Sequence, residues 1–144
     1  MLFQITNSCN MMCPHCLDAC VPGEQHMDVK TFERAVDFAH NSGAKVICIS
    51  GGEPSLNPMW YDMTNLIATE FMIASFVTNG EWLGTENEDK VLELLTKHRN
   101  MKVQITSIDG LYRLHKETVV KAEAFKKRLK DAKLKHVAGW ADHL

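Results

Sequence analysis

Cys9, Cys13 and Cys16 fall in one short stretch with the spacing C-x3-C-x2-C, and no other residues in this chain are so chemically committed. Three thiolates within eight residues can wrap one face of a metal cluster. A cubane iron–sulfur cluster has four iron corners, so three cysteines leave one corner for a ligand that is not protein. That odd ligand count points to catalysis rather than simple electron carriage. A second motif, Gly51-Gly52-Glu53-Pro54, follows the second strand-like run; glycines there let the backbone approach a ligand that a Cβ would exclude. Zinc is the alternative reading of the thiols, with Cys20 or His15 as fourth ligand, but it leaves the Gly-Gly-Glu-Pro turn unexplained.

The elements that must position these residues alternate from end to end. Residues 2–6 read as a strand, and residues 7–27 as a long loop holding the cysteines, a length that usually marks function. Asp28 is an N-cap for a helix whose apolar face is Val29, Phe32, Val36 and Ala39, stopping at Gly43. Residues 45–50 form a mostly apolar run of the buried parallel-strand kind, which makes Cys48 a small core residue. Pro58 suits the first turn of a second helix facing inward with Met59, Met63, Leu66 and Ile67. Residues 71–77 are a third strand closed by Thr78-Asn79-Gly80. A third helix begins at the acidic run 86–89, with Val91, Leu94 and Leu95 inward. Residues 102–108 form a fourth strand ending in Asp109-Gly110, and a basic helix over about 117–135 closes the pattern, with Ala122, Phe125, Leu129 and Ala132 at helical spacing. Trp140, beyond it, is left to cap that helix.

Four βα repeats demand parallel strands with helical crossovers, so the fold class is α/β, a single domain over residues 1–144 built as a parallel (β/α) partial barrel. The chemically interesting residues all fall at carboxyl ends of strands, the edge where such folds bind ligands. They are the cysteines after the first strand, residues 51–54 after the second, Thr78 and Asn79 after the third, and Ser107 and Asp109 after the fourth.

Composition narrows the class. The chain has 144 residues, 45% hydrophobic, with five cysteines and a net charge of −2, which fits a reduced, cytoplasmic domain and gives no general attraction to nucleic acid. No apolar run reaches the ~20 residues of a membrane span, and the start lacks the pattern of a secretory signal. Charge is uneven: residues 113–144 hold nine Lys/Arg against four acids, a balance of +5, which leaves −7 on residues 1–112. A solvated helix face explains that basic segment, and an acidic partner is the alternative.

The cysteine spacing, His15 before the last cysteine, Gly51-Gly52-Glu53-Pro54, Thr78-Asn79-Gly80 and Ser107-Ile108-Asp109-Gly110 with His115 shortly after resemble the radical S-adenosylmethionine superfamily, above all its peptide-modifying and activase-like members. The resemblance implies that Cys9, Cys13 and Cys16 bind three irons of a 4Fe–4S cluster, and that S-adenosylmethionine chelates the fourth. It places Gly51, Gly52 and Glu53 at the methionyl ammonium, with Pro54 shaping the turn and His15 against the adenine. Thr78, Asn79, Ser107 and Asp109 become candidates for ribose, carboxylate or substrate contacts, and Met12 for shielding the cluster. A reducing electron donor is implied, and a peptide or protein is the first expectation for substrate, with small molecules such as nucleosides open.

Relative to the family core of about six βα units, four is incomplete. A compact variant, a truncated chain, or a subunit that covers its open side with substrate, a second copy or a partner would each account for that. A non-catalytic iron–sulfur or cofactor-binding companion subunit and a zinc-stabilised binding module are the alternatives to an enzyme.

Overall fold

Five short strands, read in chain order, lie side by side in one parallel sheet in the computed structural model of the chain: β1 (Leu2–Gln4), β2 (Val46–Ser50), β3 (Ile73–Thr78), β4 (Met101–Ser107) and β5 (Ala138–Asp142). The structure describes residues 1–13, 16, 18–23, 25–107, 116–134 and 138–142, and side-chain surroundings for all of these except 107, 116, 118, 119 and 138–142. Between the strands run α1 (Val29–Asn41), α2 (Trp60–Glu70), α3 (Glu86–Lys97) and α4 (Lys116–Asp131). Each strand pairs with its sequence neighbour, and the registers Leu2–Cys48, Cys48–Ser75 and Ser75–Lys102 put one row of residues across four strands. The four expected βα units are present. The unexpected element is β5, paired to β4 from Val103–Ala138 to Ser107–Asp142, so the segment around Trp140 extends the sheet rather than capping a helix.

Period-two patterning decides which side of the sheet carries the core. Phe3, Ile47, Ile49, Ala74, Phe76, Met101, Val103 and Ile105 are buried in one cluster with the inward stripes of all four helices. Large rings fill that layer: Trp60 stacks on Phe76 at 5.6 Å, and Trp82 meets the edge of Phe125 at 5.0 Å. The alternate residues lie on the other face. Gln4, Lys102 and Gln104 are exposed, Val46 is 45% exposed, and Cys48 and Ser75 are half-buried. Cys48 is therefore not a core residue: helices cover one face of the sheet, and its side chain belongs to the other.

Local signals set most boundaries. Asp28 caps α1 through Thr31 N–H at 2.8 Å. Gly43, at φ 70°, closes the same helix, with its N–H on His40 O and the Ala44 N–H on Ala39 O. Thr85 caps α3. Pro58 does not open α2. Asn57 instead accepts the Met59 N–H at 2.8 Å, and the helix starts at Trp60. Val29 and Met59, expected on apolar faces, are exposed. At the far end, Arg128 of α4 bridges Glu88 and Asp89 of α3. Among the described residues no helix is long and apolar enough to cross a membrane.

Candidate functional site

At the carboxyl edge of the sheet the chain beyond β1 runs alongside the chain beyond β2. Gly52 N–H donates to Thr6 O and Glu53 N–H to Ser8 O, both at 2.8 Å, which prolongs the parallel pairing past the strands. This close approach is what the two glycines permit. A Cβ on Gly51, whose φ is 149°, would stand 2.4 Å from Thr6 O, and one on Gly52 would stand 2.2 Å from Ser8 O. Side chains at either position would push the cysteine loop off the end of β2.

The loop itself is tied at both ends. Residues 25–27 return beside residues 5–7, through Asn7 N–H to Gln25 O at 3.0 Å and Met27 N–H to Ile5 O at 2.8 Å. The Thr6 hydroxyl lies 2.9 Å from Gln25 O and 2.8 Å from His26 Nδ1 and accepts from Ser8 N–H, so one side chain holds three points of the loop. Asn57 is buried and donates to Ile5 O at 2.9 Å and Met27 O at 3.2 Å, locking the loop ends to the entry of α2. Further in, Cys9 N–H reaches Val21 O at 3.1 Å and Cys16 N–H reaches Cys13 O at 3.0 Å.

These ties gather four cysteines. Cys9, Cys20 and Met11 form a small buried cluster of their own, with Cys13 and Cys16 packed on it. All are free thiols. Met12, expected to shield the site, is exposed; Met11 packs on the sulfurs instead. Two donors address Cys9 Sγ, the Met11 N–H at 3.4 Å and the Asn79 amide at 3.8 Å. Burial pushes the thiols of Cys9 and Cys13 above their ordinary value, and burial beside Cys16 pushes Cys20 up to about 11. Protons thus stay on these sulfurs until something positive displaces them.

Glu53 is the hub that joins the loop to the third strand. Its side chain is 0% exposed. Oε1 accepts from the Ser55 N–H at 3.1 Å, the Ser55 hydroxyl at 2.6 Å and the Thr78 hydroxyl at 2.8 Å, and Oε2 accepts the Asn79 N–H at 2.7 Å. Burial pushes its carboxyl up, and these donors pull it back. Asn79 passes the order on: its amide donates to Asn10 Oδ1 at 2.9 Å while its oxygen accepts Glu81 N–H, and Asn10 in turn donates to the Glu81 carboxylate. The route Glu53–Asn79–Cys9 therefore links two strand ends to the first cysteine.

This placement bears on three of the expected site residues. The Glu53 carboxylate is buried and accepts from protein donors on both oxygens, so any contact of Glu53 with a ligand falls to its backbone. The Thr78 hydroxyl is buried, donating to Glu53 and accepting from Gly80 N–H at 3.0 Å and Trp82 Nε1–H at 2.9 Å, so it orders the turn. Pro54 is buried in the short 3-10 turn Pro54–Leu56 that Glu53 caps. Ser107 ends β4 at the same edge. His15, Asp109 and His115 lie outside the described residues. Asn10, His26, Asn57 and Glu81 were not singled out from the sequence; their only signal there was a polar residue near a motif.

The donor chemistry fits the cluster that the resemblance implies: an all-thiol set, apart from the main core, with N–H donors on one sulfur. Among the described residues no three Cys, His or carboxylate side chains already stand as a group that could hold a metal ion, so the set is gathered but not closed.

The chain is similar to known proteins over most of its length. A family model described as the Radical SAM superfamily matches residues 3–140. The PqqA peptide cyclase of Ruegeria pomeroyi is 27% identical over 111 residues, covering 76% of this chain and 30% of that protein. A probable GTP 3',8-cyclase of Pyrococcus abyssi is 30% identical over 116 residues, covering 74% of this chain and 38% of its own length. The structure of Streptococcus suis SuiB bound to S-adenosylmethionine superposes with a TM-score of 0.67 at 13% identity, over 99% of this chain and 40% of that one, a likeness of fold. The chain thus spans well under half the length of the relatives it matches.

Proposed function

Because the chain belongs to the radical SAM superfamily, we propose that it is a radical S-adenosylmethionine enzyme whose substrate is a peptide or protein. Cys9, Cys13 and Cys16 would hold three irons of a 4Fe–4S cluster, leaving the fourth to the amino and carboxylate groups of S-adenosylmethionine. When bound, the cluster and S-adenosylmethionine would together supply one-electron chemistry that begins with hydrogen abstraction from substrate.

The chain's own residues position and shield. Gly51 and Gly52 keep the cysteine loop against the end of β2 and would turn backbone carbonyls toward the methionyl ammonium. Glu53 acts through the turn it holds rather than through its carboxylate. Asn79 donates to Cys9 and fixes Asn10 beside it. Ser107 and Asp109 are proposed for ribose, carboxylate or substrate contacts and His15 for the adenine, on the resemblance alone.

The observation that carries this reading is the Glu53–Asn79–Cys9 linkage, which joins the Gly-Gly-Glu-Pro turn to the cysteine loop and so supports a shared role for them. The peptide reading draws on the peptide cyclase relative and on the sheet face with Gln4, Cys48 and Lys102, which the described helices leave uncovered. A peptide substrate, a second copy or a partner subunit would cover that face. An electron donor is required, and five free thiols suit a cytoplasmic setting.

The test is anaerobic. Protein reconstituted with iron and sulfide, reduced, and given S-adenosylmethionine is expected to release 5′-deoxyadenosine. Cofactor binding without product would favour a companion subunit, and stoichiometric zinc without iron uptake would reject the enzyme.

A further inference from the structure

We propose that Cys20 ligates the fourth iron when S-adenosylmethionine is absent and gives that position up when the cofactor binds. The inference rests on the reading that Cys9, Cys13 and Cys16 hold the other three irons.

Cys20 completes the spacing C-x3-C-x2-C-x3-C. A buried cysteine is ordinarily core filler. This one is 5% exposed, yet its neighbours are not the hydrophobic core: they are Cys9 and Met11, with Cys13 and Cys16 alongside. The thiol is buried against the other ligands and nothing else in the main core.

The backbone is bent to achieve this. Ala19, immediately before it, has φ 47°, a left-handed conformation that costs a residue with a Cβ about 1 kcal/mol or more. Immediately after it, Val21 O accepts the Cys9 N–H at 3.1 Å, and Ser8 and Val21 form a parallel bridge. The strained turn and the bridge together return Cys20 to Cys9. Cys20 also lines a cavity of about 530 Å³ with Gln4, Asn7, Asp18 and Gln25 among others, which gives the residue room to withdraw.

The exchange moves no electrons. The iron–sulfur bond to Cys20 breaks, bonds from the cofactor's amino nitrogen and carboxylate oxygen form, and the proton lost by the ammonium balances the one gained by the departing thiolate. A protein ligand on the fourth iron would keep the cluster from shedding that iron before cofactor arrives.

Mild ferricyanide oxidation reads the fourth ligand, because a corner without a protein ligand is lost to leave a 3Fe–4S cluster with its own paramagnetic resonance signal. Without S-adenosylmethionine, the reconstituted wild-type chain is expected to stay 4Fe–4S and silent, whereas Cys20→Ala and the volume-filling Cys20→Val give the 3Fe–4S signal. Both variants are also expected to bind S-adenosylmethionine several-fold more tightly, since no thiolate has to be displaced. The same response in wild type and variants, signal or no signal, overturns the proposal. If that happens in a cluster whose spectrum still responds to the cofactor, the enzyme reading stands; failure to take up iron at all would sink that reading instead.

Discussion

The Glu53 carboxylate, just past β2, accepts the backbone N–H of Asn79, just past β3, over 2.7 Å. One buried carboxyl group thereby sets the turn whose Asn79 side chain donates to Cys9. Glu53→Ala leaves the Ser55 and Asn79 N–H groups buried without partners, and is expected to cost about 2–4 kcal/mol. Glu53→Gln keeps the shape but turns an NH2 toward the Asn79 N–H, and is expected to cost roughly half as much. Urea melts of the two variants against wild type check the order. Equal stability of all three would remove Glu53 from its central place.

Glycine substitutions separate crowding from backbone strain. Gly51→Ala and Gly52→Ala each drive a methyl into backbone, at 2.4 Å and 2.2 Å from carbonyl oxygens, and are expected to cost about 3 kcal/mol or more with loss of iron uptake. Gly43→Ala meets nothing within 4 Å and bears only the strain of φ 70°, about 1 kcal/mol, with iron uptake retained. Thermal melts with iron analysis distinguish the two outcomes.

Much of this architecture could be read from residue patterns, and the failures have physical causes. Asp28, Gly43 and Thr78-Asn79-Gly80 mark boundaries through chemistry local to a few residues, so they are visible in the chain. Cys48 was misplaced because an apolar run shows that a strand is buried, not whether both its faces are. Residues 138–142 lack a strong strand pattern, and β5 exists through its pairing with β4. Glu53 and Thr78 looked like ligand contacts because they sit at strand ends. The two bond each other across 25 residues of sequence, and only the fold brings them together. Asn57 was missed for the same reason, since its bond to Ile5 spans 52 residues.

The entry to α1 carries a pH signature. The Thr31 N–H and hydroxyl bonds hold the Asp28 carboxyl below its ordinary value of 3.8. A depressed carboxyl contributes stability above its unfolded pKa and loses it as pH falls through the folded one. The stability gap between wild type and Asp28→Ala is therefore expected to be full at neutral pH and to narrow as pH falls below about 3.8. Chemical denaturation at several pH values measures it, and a gap that widens in acid contradicts the capping role.

At the end of α4, Lys133 stands at φ 59° with its N–H on Lys130 O, while Leu134 N–H bonds Leu129 O, a closing turn that favours glycine. Lys133→Gly is expected to stabilise the fold by about 0.5–1 kcal/mol by releasing that strain. A lowered melting temperature would show that the lysine side chain matters more than its backbone.

The most direct measurement of the central claim is the paramagnetic resonance spectrum of the reduced, anaerobically reconstituted protein before and after S-adenosylmethionine. The account predicts a reduced 4Fe–4S signal that shifts when the cofactor is added and is absent from Cys13→Ala. A 4Fe–4S signal indifferent to S-adenosylmethionine, or one undiminished in Cys13→Ala, would contradict it.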